Sequence, residues 1–282
     1  MTAAKPLAGF EERWAEVRAT RVRYFVAGDG PPVLLVHGLG GAAATWIAVA
    51  PPLAERHRVV VPDLPGHGGS SPVPALPNLN PFADAVEALL RREEAAPAAV
   101  VGHSLGGVVA LRLALRHPDL VNAVVLAGAA GITSATRLAE TALTFSTLVQ
   151  PGRRLARFRR SIARSRFLRQ AVFGGWGASD AAALPTSVVE AFLAGPPLHT
   201  DVASAAAALV RDDPRAELGG VRCRCLVLWG ARDSQVPVGD AFEYARRLGA
   251  DLRVIADCGH LLIGERPGAC VDAIEDFLGD SA

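Results

Sequence analysis

A serine becomes a useful nucleophile only when its hydroxyl faces substrate and a base stands ready to take its proton. The stretch Gly102-His103-Ser104-Leu105-Gly106, with Gly107 beside it, joins the apolar run "AAVVGHS" (98–104) to the helical pattern "LGGVVALRLALRH". A serine spaced this way at a strand-to-helix junction has the pattern of a nucleophile elbow. In such an elbow the serine takes a positive φ at a cost of about 1–3 kcal/mol, and its neighbours must be small. Gly102 and Gly106 meet that demand. Leu105 N–H falls in the first turn of the following helix, where backbone donors lack internal partners and the dipole favours negative charge, so it is expected to donate to an oxyanion. Alone the motif is weak, because the spacing arises by chance in glycine-rich chains. The rest of the chain must supply a histidine and an acid.

Of seven histidines, His260 in "DCGHLLIGERP" follows the last strand-like run and precedes the last helical one. That places it on a loop at the strand carboxyl ends, within reach of the serine. His57 and His117 read as structural or solvated, and His37 and His103 as residues that fix turns beside the site. For the acid, Asp233 in "VLWGARDSQVP" lies just past the run at 225–229, while Asp257, three residues before His260, reads as part of a turn. A second oxyanion donor is expected from "HGLGGAAATW", whose glycines let backbone approach a substrate closely: Leu39 N–H, with Gly40 as the alternative. Gly38, Gly40 and His103 border this site. With Trp46, Phe145, Phe173, Trp176 and Phe192 they are candidate substrate contacts, since an acyl or aryl pocket is mostly apolar; each aromatic has core packing as its blander reading. Asp63 and His67 in "DLPGHGGSS" read as a structural turn. A Cys-x-Cys inside an apolar run (Cys223, Cys225) reads as strand rather than as a zinc site with His260. No metal or organic cofactor is expected.

The elements that must position these residues alternate along the chain. Strand-like runs at 22–28, 32–38, 57–63, 98–104, 122–128, 225–231 and 252–258 lie between helical patterns near 81–94, 104–116, 238–248 and 267–278. Several runs lack period-two alternation, as strands buried on both faces do. The expected fold is α/β, a mostly parallel sheet with helices on both faces. Between 131 and 218 helical patterns follow one another without a strand, predicting a helical cap over the strand carboxyl ends, where open α/β sheets bind ligands. The expected organisation is a core of 1–130 and 219–282 carrying a cap of 131–218.

The chain has 282 residues, half of them hydrophobic, and a net charge of +1. No overall field favours a polyanion, so nucleic acid is not an expected partner. The charged amino terminus lacks a secretory core, no stretch reaches the roughly 18 apolar residues of a membrane span, and the expected location is the cytoplasm. Segment 153–169 is exceptional, with eight arginines and no acidic residue, which leaves −7 for everything else. Leu155, Phe158, Ile162 and Phe167 or Leu168 give it an apolar stripe at helical spacing, predicting an amphipathic lid helix with a solvated basic face. Its sharper readings are contact with an acidic substrate group or with anionic lipid.

"LLVHGLGG", "VVPDLPGHGGSS", "VVGHSLGGVVALRLALRHPDLV", "CLVLWGARDSQVP" and "CGHLLIGERP" resemble the α/β-hydrolase superfamily, in its capped serine esterase and C–C hydrolase branch. The resemblance runs through nearly the whole chain outside 131–218 and implies Ser104 as nucleophile, His260 as base and Asp233 as its orienter. Relatives with a carboxylate nucleophile do not fit, since position 104 is serine. C–C hydrolases of this branch commonly carry Trp after the histidine, where this chain has Leu261. Hydrolysis of small to medium, mostly apolar carboxylic esters through an acyl-enzyme is therefore the expected activity. C–C hydrolysis, acyl transfer or perhydrolysis by the same residues, and a non-catalytic binding protein are the alternatives.

Overall fold

A computed structural model describes residues 7–73, 76–132, 151–175 and 177–279. Its centre is an eight-stranded sheet of β1 (Glu11–Val17), β2 (Thr20–Ala27), β3 (Pro32–Val36), β4 (Arg58–Pro62), β5 (Ala98–His103), β6 (Val121–Ala127), β7 (Arg224–Gly230) and β8 (Asp251–Ile255), in the order β1-β2-β4-β3-β5-β6-β7-β8. β1, β2 and β4 pair antiparallel, and every pairing from β4 through β8 is parallel. All six residues of β5 are buried, which is why the middle of the sheet reads as apolar runs without alternation.

The sheet is covered on both faces. Asn80–Arg92, Leu105–Arg116 and Val238–Leu248 pack Phe82, Val86, Leu111 and Tyr244 against one side; Pro267–Gly279 and the segment around Trp46 pack Leu53, Ile274 and Phe277 against the other. The registers Val36↔Gly102, His103↔Ala127 and Gly230↔Ile255 align the strand carboxyl ends. The loops that carry residues 37–41, 104, 233 and 260 therefore open along one edge.

One strand escapes the sequence reading. β1, "EERWAEV", is an edge strand that turns into β2 at Arg18, whose φ is 53°, and its charged residues blunt a free sheet edge. Charge on an edge strand hides it from a search for apolar runs.

Between β6 and β7 the described residues form helices at Arg159–Arg164, Arg166–Phe173, Thr186–Phe192 and Val202–Arg211, with no strand among them. They share a small core of Ile162, Phe173, Leu184, Val188 and Leu193, joined by Leu261 from the loop after β8. The single amphipathic lid helix expected over 153–169 is not formed. Ser165 is extended (φ −106°, ψ 117°) and caps the next helix through its hydroxyl, so the helical phase restarts there. Ile162 is buried as the stripe requires, but Phe158, Phe167 and Leu168 lie on the surface.

Candidate active site

Ser104 follows β5 and opens the helix Leu105–Arg116 with φ 53° and ψ −118°, the left-handed strain its flanking glycines make possible. A Cβ on Gly102 would lie 2.2 Å from Gly106 O, and one on Gly106 would lie 2.2 Å from Val36 O. The turn is pinned to β6, since Ser104 N–H donates to Ala127 O at 3.0 Å and Ser104 O accepts from Gly107 N–H (2.9 Å) and Ala130 N–H (3.2 Å).

On the neighbouring loops His260 and Asp233 meet. His260 Nδ1 lies 2.8 Å from Asp233 Oδ2, and both residues are buried. Asp233 Oδ1 accepts Gln235 N–H and Val236 N–H, each at 2.9 Å, so both carboxylate oxygens are engaged. Hydrogen bonding to an acceptor-only carboxylate leaves Nδ1 as the proton-bearing nitrogen and Nε2 with its lone pair. Gly128, one residue past the carbonyl that holds Ser104, has φ 56°, and a Cβ there would sit 3.5 Å from both Asp233 Oδ2 and His260 Nδ1. The elbow and the pair thus share one backbone support. Asp257 is exposed and ion-paired with Arg232, away from this pair.

His103 lies beneath the pair rather than in a pocket. It is buried, its Nε2–H donates to His260 O at 2.9 Å, and its ring centroid is 5.0 Å from that of His260. That bond engages Nε2 in holding the His260 loop, in keeping with the reading of His103 as a residue that fixes a turn beside the site. Trp46 and Phe173 are also buried, in the sheet core and in the core of the insertion respectively. Phe192, half-buried, meets Phe173 edge to face at 6.5 Å and joins those two cores. These three aromatics hold structure together before they meet substrate. Phe145 and Trp176 lie outside the described residues.

The loop after β3 passes beside Ser104, where a Cβ on Gly38 would fall 3.0 Å from Ser104 Cβ. Gly38 O accepts from Gly41 N–H (3.0 Å) and from His37 Nδ1–H (2.8 Å), while His37 Nε2 accepts Leu64 N–H (2.9 Å). These bonds fix the plane of the Gly38–Leu39 peptide. In a trans peptide Leu39 N–H then points opposite to that carbonyl. Among the described residues neither Leu39 N–H nor Leu105 N–H donates to a protein acceptor. Gly40 adopts φ 69°, completing the turn. Asp63 anchors the same region, accepting from Arg23 Nε, Ala43 N–H and Gly69 N–H at 2.7 to 2.8 Å, in keeping with a structural turn.

Two residues escape the sequence reading. His199, from the insertion, accepts Gly68 N–H at Nδ1 (2.9 Å) and donates from Nε2 to Gly40 O (2.8 Å), bolting the insertion to the loop that carries Leu39. Glu265, buried, accepts Gly259 N–H (2.7 Å) and Asp180 N–H (2.9 Å), tying the His260 loop to the insertion. Their partners in the bonds between the insertion and the loops lie 85 to 159 positions away, and no local pattern marks such contacts.

Burial sets the electrostatics of the supporting histidines. It pushes the imidazoles of His37 and His103 down to about 3, and lowers those of His67 and His199 as well. An unfolded histidine titrates near ~6.5, so below that pH the unfolded chain binds protons that the folded chain refuses. Stability is then full above about pH 6.5 and is lost as pH falls toward 3, by about 2 kcal/mol per histidine for His37 and His103 at pH 5. Urea denaturation should show a lower midpoint at pH 5 than at pH 7.5; an equal or higher midpoint would contradict neutral, buried imidazoles.

Among the described residues no cluster of three or more His, Cys, Asp or Glu side chains is arranged to hold a metal ion. The arrangement of a strained serine, a histidine–carboxylate pair and two backbone donors is suited to acyl chemistry without one.

Residues 31–267 match the family model of the alpha/beta hydrolase fold. The chain is 35% identical to the pimeloyl-[acyl-carrier protein] methyl ester esterase of Chromobacterium violaceum, over 75% of this chain and 80% of that protein. It is 29% identical to the 2-hydroxymuconate semialdehyde hydrolase of a Pseudomonas species, over 90% and 89%. A thermophilic esterase from Thermogutta terrifontis, solved with malate bound, is similar in structure with a TM-score of 0.75 and 26% identity, covering 96% of this chain and 98% of that one. With its mostly parallel sheet and with residues 31–267 matched, the chain belongs to the alpha/beta hydrolase fold family.

Proposed function

We propose that the protein hydrolyses carboxylic esters of small to medium, mostly apolar substrates through an acyl-enzyme formed on Ser104. The observation that carries this reading is the 2.8 Å bond between His260 Nδ1 and Asp233 Oδ2, which leaves His260 Nε2 free to act as a base, while Ser104, held at φ 53°, is bonded to Ala127, the neighbour of the Gly128 that packs against the pair. Ser104 Oγ attacks the ester carbonyl carbon as His260 Nε2 takes its proton, and the oxyanion is held by Leu39 N–H and Leu105 N–H. His260 then returns the proton to the leaving oxygen and the alcohol departs. Water attacks the acyl-enzyme with His260 again as base, the acid is released, and Ser104 regains its proton.

Residues 131–218 act as a cap on the core of 1–130 and 219–282. Support comes from the insertion's own core and from its bonds through His199, Glu265 and Gly177 O, which accepts Leu261 N–H at 2.9 Å. Leu261 is buried among Ile162, Phe173 and Val188, so the position where C–C hydrolases commonly carry Trp serves here to seat the cap.

Hydrolysis of p-nitrophenyl acetate, butyrate, octanoate and a bulky aryl ester, with and without added alcohol, tests this reading. The expected result is turnover of the shorter esters, with free acid as the main product even when alcohol is present. A chain inert toward all four esters but active on a ring-fission diketone would contradict it, and acyl transfer to the alcohol as the dominant reaction would replace hydrolase by transferase.

A further inference from the structure

The insertion carries a surface that ester hydrolysis does not use. In segment 153–166 seven arginines are exposed, and among the described residues none pairs with a carboxylate. Elsewhere arginines are routinely neutralised, as Arg13, Arg23, Arg58, Arg112, Arg215 and Arg247 are. Arg169, the eighth, is spent inside the insertion on Ala163 O and Ala182 O. Unpaired guanidinium groups at this density repel one another unless anions lie against them.

The same stretch exposes large apolar side chains. Phe167 is 79% exposed, Phe158 52% and Leu168 36%. In the helix Arg166–Phe173 the inward side is Arg169, Val172 and Phe173, which at helical spacing puts Phe167 near the middle of the outward side. Arg157 lies over the Phe158 ring at 4.9 Å. A purely solvated basic face has no use for exposed phenylalanines. An acidic protein would account for the charge but would leave Phe167 unexplained.

We propose that this arginine and phenylalanine surface of the insertion docks on an anionic lipid bilayer, with the guanidinium groups on lipid phosphates and Phe158, Phe167 and Leu168 at the headgroup boundary. Clusters of four to eight basic residues with interleaved apolar side chains suit that boundary, where charge and apolar burial add. Among the described residues no helix is long and apolar enough to cross a membrane, so the contact lies on the bilayer and does not span it. The helix that carries Phe167 ends at Phe173, and Gly177 just beyond it is bonded to the His260 loop. The binding claim stands independently of the chemistry below it.

Co-sedimentation with vesicles of equimolar phosphatidylcholine and phosphatidylglycerol tests the surface directly, with pure phosphatidylcholine vesicles beside them. The wild type should sediment with the mixed vesicles at low salt, be released by high salt, and ignore the neutral vesicles. The triple variant Arg159→Gln, Arg160→Gln, Arg164→Gln should bind on the order of 100-fold more weakly, and Phe167→Ala about tenfold more weakly, with thermal melts unchanged because these side chains are exposed. No sedimentation with the mixed vesicles overturns the proposal, and retention on polyglutamate in the same buffer would then reassign the surface to an acidic protein. Sedimentation unchanged in both variants also overturns it, by placing the lipid contact elsewhere.

Discussion

Ser104→Ala is expected to lower kcat for ester hydrolysis by about 10^6-fold, close to 8 kcal/mol of barrier, because the covalent step and the proton transfer that enables it disappear together. The residual rate should still exceed that in water by about 10^3 to 10^4, because Leu39 N–H, Leu105 N–H and the binding surface remain. Loss of fold is not a competing explanation. The Ser104 hydroxyl makes no capping bond to the helix Leu105–Arg116, and the turn is held by backbone bonds to Ala127 and Ala130 that alanine keeps. The variant should therefore melt with the wild type. Parallel initial rates and thermal melts check it, and a variant with near-wild-type turnover would remove Ser104 from the chemistry.

Asp233→Asn should cost about 10^4-fold in kcat with little change in KM. The size follows from the hydrogen bonds around the carboxylate. Oδ1 is fixed by Gln235 N–H and Val236 N–H, so an asparagine keeps its carbonyl oxygen there and turns its NH2 toward His260 Nδ1. Two donors cannot share that contact, so His260 moves its proton to Nε2 and ceases to be a base. Asp257→Asn is the control. Its carboxylate pairs with Arg232 on the surface and is expected to leave kcat unchanged. Equal losses in the two variants would contradict Asp233 as the orienting acid.

Much of this architecture is legible in the sequence because it is local. A serine between glycines at a strand-to-helix junction needs only neighbouring residues to be recognised, Asp233 lies just after the apolar strand β7, and His260 follows β8, the last strand. Long-range partnerships are not legible in that way. His199 and Glu265 hold the loops around the candidate site through bonds from distant parts of the chain, and nothing in "PPLHTD" or "LLIGERP" foretells them. Helical phase is fragile as well. A stripe counted through 155–168 assumes one continuous helix, and a single extended residue, Ser165, shifts everything after it. Phe167, just past that break, faces outward.

The central claim, an acyl-enzyme on Ser104, is tested most directly by quenching the wild type with acid during turnover of p-nitrophenyl butyrate and mapping its peptides by mass spectrometry. The account predicts one butyryl group on the peptide that contains Ser104, absent from Ser104→Ala. Steady turnover with that peptide unmodified, or with the butyryl group on another residue, would contradict it.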